Sequence, residues 1–242
     1  MAATLSRTQI DRLGERLREG SPTEPDLRLL DDYRRSFGAT YEAVIRTIRE
    51  QLQLEPTGRP AKSTGSLIEK LHRESIRLSQ VQDIAGCRVV VTDVAAQERV
   101  VESLRNVFPG ASVVDRRANP SYGYRAVHVI VQISGKLIEI QVRSSLQHLW
   151  AELSEKFSDV VDPTIKYGAG PHEIQEMLTK ASGTVAIFEE LEAEVGTRVA
   201  RLAGEELHQQ QRRGLGELQQ EMINTKREIG NQLNEMISWV ES

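Results

Sequence analysis

The sequence predicts an α+β protein: a mixed β-sheet core flanked by helices, with helical extensions at both ends. Three observations carry this. Apolar residues recur at steps of three and four over residues 23–54 and again from about 171 onward, which is the helical period. Between those zones, short β-branched runs alternate with helical segments. Within that middle zone, "LIEIQVR" (137–143) sorts by parity, with Ile138, Ile140 and Val142 one way and Leu137, Glu139, Gln141 and Arg143 the other.

Taken in order, Leu30, Tyr33, Phe37, Tyr41, Val44, Ile48 and Leu52 form one apolar stripe, so residues 23–54 read as a helix, broken by "EPTGRP". "STGSLIEKLHRES" opens on small polar capping residues and continues as a short helix. "GCRVVVTDV" reads as a strand, and "AAQERVVESLRNVF" as a helix with Val100, Val101, Leu104 and Phe108 apolar. "YRAVHVIVQI" and "LIEIQVR" are two strands, and "SSLQHLWAELSEKFSD" returns to helix. Beyond 171 the stripe Leu215, Leu218, Met222, Ile229, Leu233, Met236 and Val240 packs on the core or on another subunit. The expected organisation is a helical region over 1–55, a core over 56–168 and a helical extension over 169–242.

Composition excludes several classes. A net charge of −4 gives no global footprint for nucleic acid. The single cysteine, Cys87, permits no disulfide within the chain and suits a reducing, cytoplasmic setting, with a small buried hydrophobe as its expected role. No apolar run reaches the roughly 18 residues of a membrane span, and the first twenty residues lack the apolar centre of a signal peptide.

The chemistry gathers on two elements. If Gly135–Lys136 is a two-residue turn, Ser134 lies opposite Leu137, Gln132 opposite Glu139, Ile130 opposite Gln141 and His128 opposite Arg143. His128, Gln132, Glu139, Gln141 and Arg143 then share one face, and the valines and isoleucines the other. Upstream, Arg59 and Lys62 precede a helix start, and Ser66, Lys70 and Arg73 at i, i+4 and i+7 share one helix face. A helix N-terminus flanked by cations is suited to phosphate, although the chain has no G-x-x-x-x-G-K-[ST] loop. Asp83 and Arg88 flank the start of a strand, and Asp83 with Glu139 can hold one Mg²⁺, which takes one or two carboxylates plus waters and phosphates. The histidines show no zinc-like spacing with Cys87.

"KSTGSLIEKLHR", "QDIAGCRVVV", "NPSYGYRAVH" and "IEIQVRSSLQHLWAELSEK" occur in this order, and together they resemble the synthetase domain of RelA/SpoT-type alarmone synthetases, in particular the small ones. The resemblance covers roughly residues 40–160. It implies a nucleotidyltransferase-like core that moves a pyrophosphate from ATP to the 3′-hydroxyl of GDP or GTP, with Mg²⁺ as cofactor and ATP and GDP or GTP as ligands. It implies that Arg59 and Arg88 sandwich the adenine and that Lys62, Ser66, Lys70 and Arg73 hold the ATP phosphates. Asp83 would bind Mg²⁺, Glu139 would share the metal or deprotonate the 3′-hydroxyl, and His128 would act beside it. Tyr124 would stack on the acceptor base from a loop, with Gln141 and Arg143 lining the same cleft. A homo-oligomer and no membrane partner are expected. The chain departs from the family at Arg59-Pro60-Ala61-Lys62, one residue longer than Arg-x-Lys, and at "NPSYGY", which is shorter than "NPKxNGY" and lacks its lysine. It also has Ser144 for a threonine and Glu155 for a histidine. Two rivals remain open: a toxic relative that pyrophosphorylates the tRNA 3′ end or adenine nucleotides, with Arg116 and Arg117 gripping RNA, and a nucleotide-binding regulator without catalysis.

Overall fold

The structure is a computed structural model and describes residues 5–20, 22–202 and 208–242. It divides into two compact units, the first made of Met1–Val89, Val101–Val114 and His128–Gln141, the second of Val90–Val100, Asp115–Val127 and Val142–Ser242.

The first unit holds most of the sheet; residues 90–91, 115, 127 and 142–144 of its strands belong to the second. Its strands are β1 (Thr57–Arg59), β2 (Ala85–Val91), β3 (Ser112–Asp115), β4 (Val127–Ile133) and β5 (Lys136–Ser144), in the spatial order β1-β2-β5-β4-β3. The sheet is mixed and flanked by helices, as the sequence predicts. β1 runs antiparallel to β2, with Thr57 opposite Arg88 and Arg59 opposite Gly86. Gly86 is required there, because a Cβ on it would stand 2.8 Å from the Glu139 carbonyl oxygen. Val129, Val131, Ile138 and Ile140 are buried, as are Leu67 and Leu71 of α4 (Thr64–Arg73).

The helix expected over 23–54 is two helices, α2 (Glu24–Arg35) and α3 (Gly38–Leu52), interrupted at Ser36–Phe37. The apolar stripe survives the break: Leu30, Phe37, Tyr41, Val44 and Ile48 are all buried. A helix that periodicity did not predict, α1 (Arg7–Glu19), starts on a capping box in which Ser6 and Gln9 bond reciprocally, and it buries Leu13 and Leu17.

The β4–β5 hairpin also differs from expectation. Its turn is Ser134–Gly135, with φ of 50° and 75°, not Gly135–Lys136. Two successive positive φ values mark a type I′ turn, whose twist matches that of the strands. Ile133 therefore closes on Lys136, and counting outward places Gln141 opposite His128, not Arg143. Because the shift is two residues, the sorting of faces is unchanged.

The second unit is mainly helical. α6 (Ser145–Val160), α7 (His172–Leu202) and α8 (Gln209–Glu241) pack around Leu146, Trp150, Leu153, Phe157, Leu178, Val185, Phe188 and Leu233. The first half of α5 (Val94–Val107) belongs here and the second half to the first unit. Among the described residues, no helix is long and apolar enough to cross a membrane.

Candidate active site

Two groups of polar side chains lie in the first unit. In one, Asp83, just ahead of β2, is held by both lysines of the basic element: Lys62 Nζ donates to Oδ2 at 2.7 Å and Lys70 Nζ to Oδ1 at 2.9 Å. All three side chains are largely buried, with 13–19% exposure. Burial alone would raise the Asp83 pKa, but the two ammonium groups outweigh it and bring the value down to about 2. Local folding explains the placement. Ser63 caps α4 by accepting from the Ser66 N–H at 3.2 Å, which starts the helix two residues after Lys62. The Lys62 N–H donates to the Ile84 carbonyl at 2.6 Å. Arg34 of α2 donates to the Lys62 carbonyl at 2.5 Å and to Thr64 Oγ1 at 2.8 Å. No sequence signal marks Arg34 as the support of this loop.

In the other group, Glu139 of β5 is 9% exposed and accepts from both strand neighbours. His128 Nδ1 stands 3.0 Å from Oε1, and Gln141 Nε2 donates to Oε2 at 2.7 Å. Burial, the largest single cause, pushes its pKa up, as does the Asp83 charge, but the bond and charge of His128 and the Gln141 bond together bring the net direction down. Glu139 is therefore an ionised, oriented carboxylate that feels Asp83. Gln141, expected to line the acceptor cleft, donates to Glu139. Among the described residues no three His, Cys, Asp or Glu side chains cluster as a metal site. A pair of carboxylates nevertheless fits a hard cation that keeps its waters and phosphate ligands. Cys87 is buried and its thiol is pushed up to about 12 by burial and by Glu139, which fits the expected structural role.

The remaining first-unit candidates are looser. Ser66 Oγ accepts from Ser63 Oγ at 2.8 Å, and Arg73 Nη2 meets Glu74 Oε1 at 3.0 Å. Arg59 is exposed on β1, and Arg88 is half-buried with its Nε buried and unbonded. The pairing of Thr57 with Arg88 sets Arg59 two residues along from Arg88's partner.

The second unit holds Tyr124 and Arg143. A stacking role from a loop predicts a Tyr124 ring outside the core; the ring is instead half-buried against the helical core. Arg143 Nη2 donates to its hydroxyl at 3.1 Å, and the guanidinium carbon lies 5.1 Å from its ring centroid. Arg143 is 2% exposed. A buried network that sequence reasoning missed anchors this corner: Gln147 donates to Glu189 at 2.9 Å, Ser144 bonds the same carboxylate, and Gln97 donates to the Val142 carbonyl at 2.7 Å. Glu189, on α7, has its pKa raised by burial, against the opposing bonds from Ser144 and Gln147. The Arg116–Arg117 pair is not freely exposed either. Arg117 is bound to Asp115, Glu98 and Gln97, and Arg116 donates to Ser121 Oγ at 2.9 Å.

A mixed five-stranded sheet flanked by helices, in this arrangement, is the fold of the small alarmone synthetases. More narrowly, residues 58–158 match the family described as "Region found in RelA / SpoT proteins". It is similar to small alarmone synthetase 1 from Bacillus subtilis bound to its product pppGpp, with 27% identity and a TM-score of 0.52, over 72% of this chain and 97% of that one. A GTP pyrophosphokinase family protein from Streptococcus pneumoniae has 27% identity and a TM-score of 0.53, over 73% of this chain and 95% of that one. An uncharacterized protein of Mycobacterium tuberculosis is 35% identical over 119 residues, 47% of this chain. The chain covers only 43% of the length of that relative.

Proposed function

We propose that this chain transfers a pyrophosphate from ATP to the 3′-hydroxyl of GDP or GTP, giving AMP and (p)ppGpp. The observation that carries the reading is the first unit's pairing of a lysine-held carboxylate, Asp83, with an oriented and ionised one, Glu139. The similar structures, one a pppGpp product complex and one of a GTP pyrophosphokinase family, support the same reaction.

Such a transfer asks the protein mainly for positioning and charge stabilisation. Lys62 and Lys70 bind the ATP phosphates, with Ser66 and Arg73 farther along α4. Arg59 and Arg88 hold the adenine. Glu139 takes the proton of the 3′-hydroxyl as that oxygen bonds to the β-phosphorus; the bond between the β-phosphorus and the bridging oxygen of AMP breaks, and AMP leaves. His128 keeps Glu139 oriented and ionised through its 3.0 Å contact. Tyr124 and Arg143 are the proposed acceptor-binding residues. Asp83 and Glu139 are the residues that would hold Mg²⁺, which supplies charge neutralisation for the phosphates.

ATP labelled in its γ-phosphate, incubated with GDP or GTP, tests this. The label should appear in a guanosine 3′-pyrophosphate, with one AMP formed per product. Label on a CCA-ended RNA or on adenine nucleotides, with none on guanine nucleotides, would replace this acceptor with a rival.

A further inference from the structure

We propose that one stripe of α1, formed by Arg7, Asp11, Gly14 and Arg18, is a positioning element for the lysine-held carboxylate: it fixes the connection between α4 and β2 and so sets Lys70 against Asp83. That this pair serves the phosphates of ATP rests on the pyrophosphate-transfer reading; the placement of the pair does not.

The connection has little regular structure of its own. α4 ends at Arg73 and β2 starts at Ala85, with one 3₁₀ turn, Leu78–Gln80, between them. Glu74 is extended, with φ of −111° and ψ of 127°, so α4 stops there and its last carbonyls need donors from elsewhere. Lys70 and Asp83 stand 13 residues apart across this stretch, yet Lys70 Nζ reaches Asp83 Oδ1 at 2.9 Å. A loop of this length has many conformations, and few of them make that contact.

α1 removes that freedom. Steps of four, three and four put Arg7, Asp11, Gly14 and Arg18 on one helix face, beside buried Leu13 and Leu17. Each of the four meets the end of α4 or the connection. Arg18 Nε donates to the Leu71 carbonyl at 3.1 Å and its Nη2 to the Ile76 carbonyl, so one rigid guanidinium bridges the end of α4 and the chain beyond it. Asp11 Oδ1 accepts from the Ser79 N–H at 3.1 Å, and Arg7 Nε donates to Ser79 Oγ at 3.3 Å. Gly14 lies against buried Leu78; a Cβ on it would stand 2.7 Å from Leu78 Cβ, so this close approach requires glycine. Arg16 Nε pairs with Asp26 at 2.8 Å and ties α1 to α2, whose Arg34 fixes the entry to α4 at Lys62. The two helices therefore hold both ends of the segment that carries the lysines. Among the described residues none of the four is bonded to Lys62, Lys70 or Asp83, so the stripe acts through the chain between them.

Four variants decide the matter. Arg18→Met keeps an aliphatic stem and deletes both donors, Asp11→Ala deletes the acceptor, and Asp11→Asn keeps a carbonyl for the Ser79 N–H. Leu13→Val, on the same helix but off the stripe, weakens α1 through packing alone. Each is compared with wild type by urea unfolding, by hydrogen exchange over residues 74–82, and by calorimetric Kd for a non-hydrolysable ATP analogue with Mg²⁺. Arg18→Met and Asp11→Ala should speed exchange over 74–82 and raise that Kd about tenfold, the low end for one hydrogen bond to a charged group. Asp11→Asn and Leu13→Val should bind the analogue as wild type does, although Leu13→Val loses stability. An unchanged Kd in Arg18→Met, or an equal rise in Leu13→Val, would overturn the positioning role, as would a wild type that binds no analogue. Product analysis of wild type separates this from the reaction: the expected pattern without any guanosine 3′-pyrophosphate would sink the reaction and leave the stripe standing, and synthesis without the pattern would do the reverse.

Discussion

Replacing Asp83 by asparagine, an isosteric change, tests the electrostatics of the lysine cluster. The carboxylate is 19% exposed and receives one lysine on each oxygen, at 2.7 and 2.9 Å. Its pKa falls from 3.8 to about 2. At 1.36 kcal/mol per unit, that depression corresponds to roughly 2 kcal/mol of folding stability. The folded pKa is the lower one, so this stability is fully present above about pH 5 and is lost as pH falls toward 2. Urea unfolding of wild type and Asp83→Asn from pH 7 to pH 3 reads it out. The gap between them should be about 2 kcal/mol or more at pH 7, because Asn also leaves two ammonium groups facing each other without a counter-charge. It should hold down to about pH 5 and narrow below. A variant as stable as wild type at pH 7, or a gap that does not change with pH, would show that the lysines do not hold Asp83 in this way.

Two further substitutions probe the first unit. Glu139→Gln should keep the fold and bind an ATP analogue as wild type does, while kcat falls by about 10² to 10⁴-fold, as loss of a general base predicts; a near-wild-type turnover in the folded variant would remove Glu139 from proton transfer. Arg34→Met deletes the two bonds that fix the Lys62 loop, to the Lys62 carbonyl and Thr64 Oγ1. It should raise KM for ATP several-fold and leave KM for the acceptor unchanged, and equal rises in both would assign Arg34 a general structural role.

The sequence made much of this legible, and the gaps have physical causes. The alternation at 137–143 survives in the structure because burial of Ile138, Ile140 and Val142 depends on parity alone. The hairpin turn was misplaced because Ser134 adopts a positive φ that serine seldom takes, yet the two-residue slip left every side chain on its expected face. The split between α2 and α3 was hidden because Phe37 stays on the apolar stripe through the break. β1 and β3 are three and four residues long and exposed along their length, so they carry no period and exist through pairing with the sheet. At the candidate site, the sequence placed Lys62, Lys70 and Asp83 on the right elements. Their ion pairs span 21 and 13 residues and follow from how α4 lies on the start of β2, which no local pattern encodes. The loop position of Tyr124 is legible in the sequence, whereas the packing of α6 and α7 that half-buries its ring is not.

The most direct test of the central claim is a product analysis with ATP labelled in its γ-phosphate, wild-type protein, Mg²⁺ and GDP or GTP, run beside Glu139→Gln. Pyrophosphate transfer predicts a labelled guanosine 3′-pyrophosphate and AMP in equal amounts from wild type, and almost none from the variant. Release of ADP and inorganic phosphate, label only on RNA or adenine nucleotides, or equal product from Glu139→Gln would contradict it.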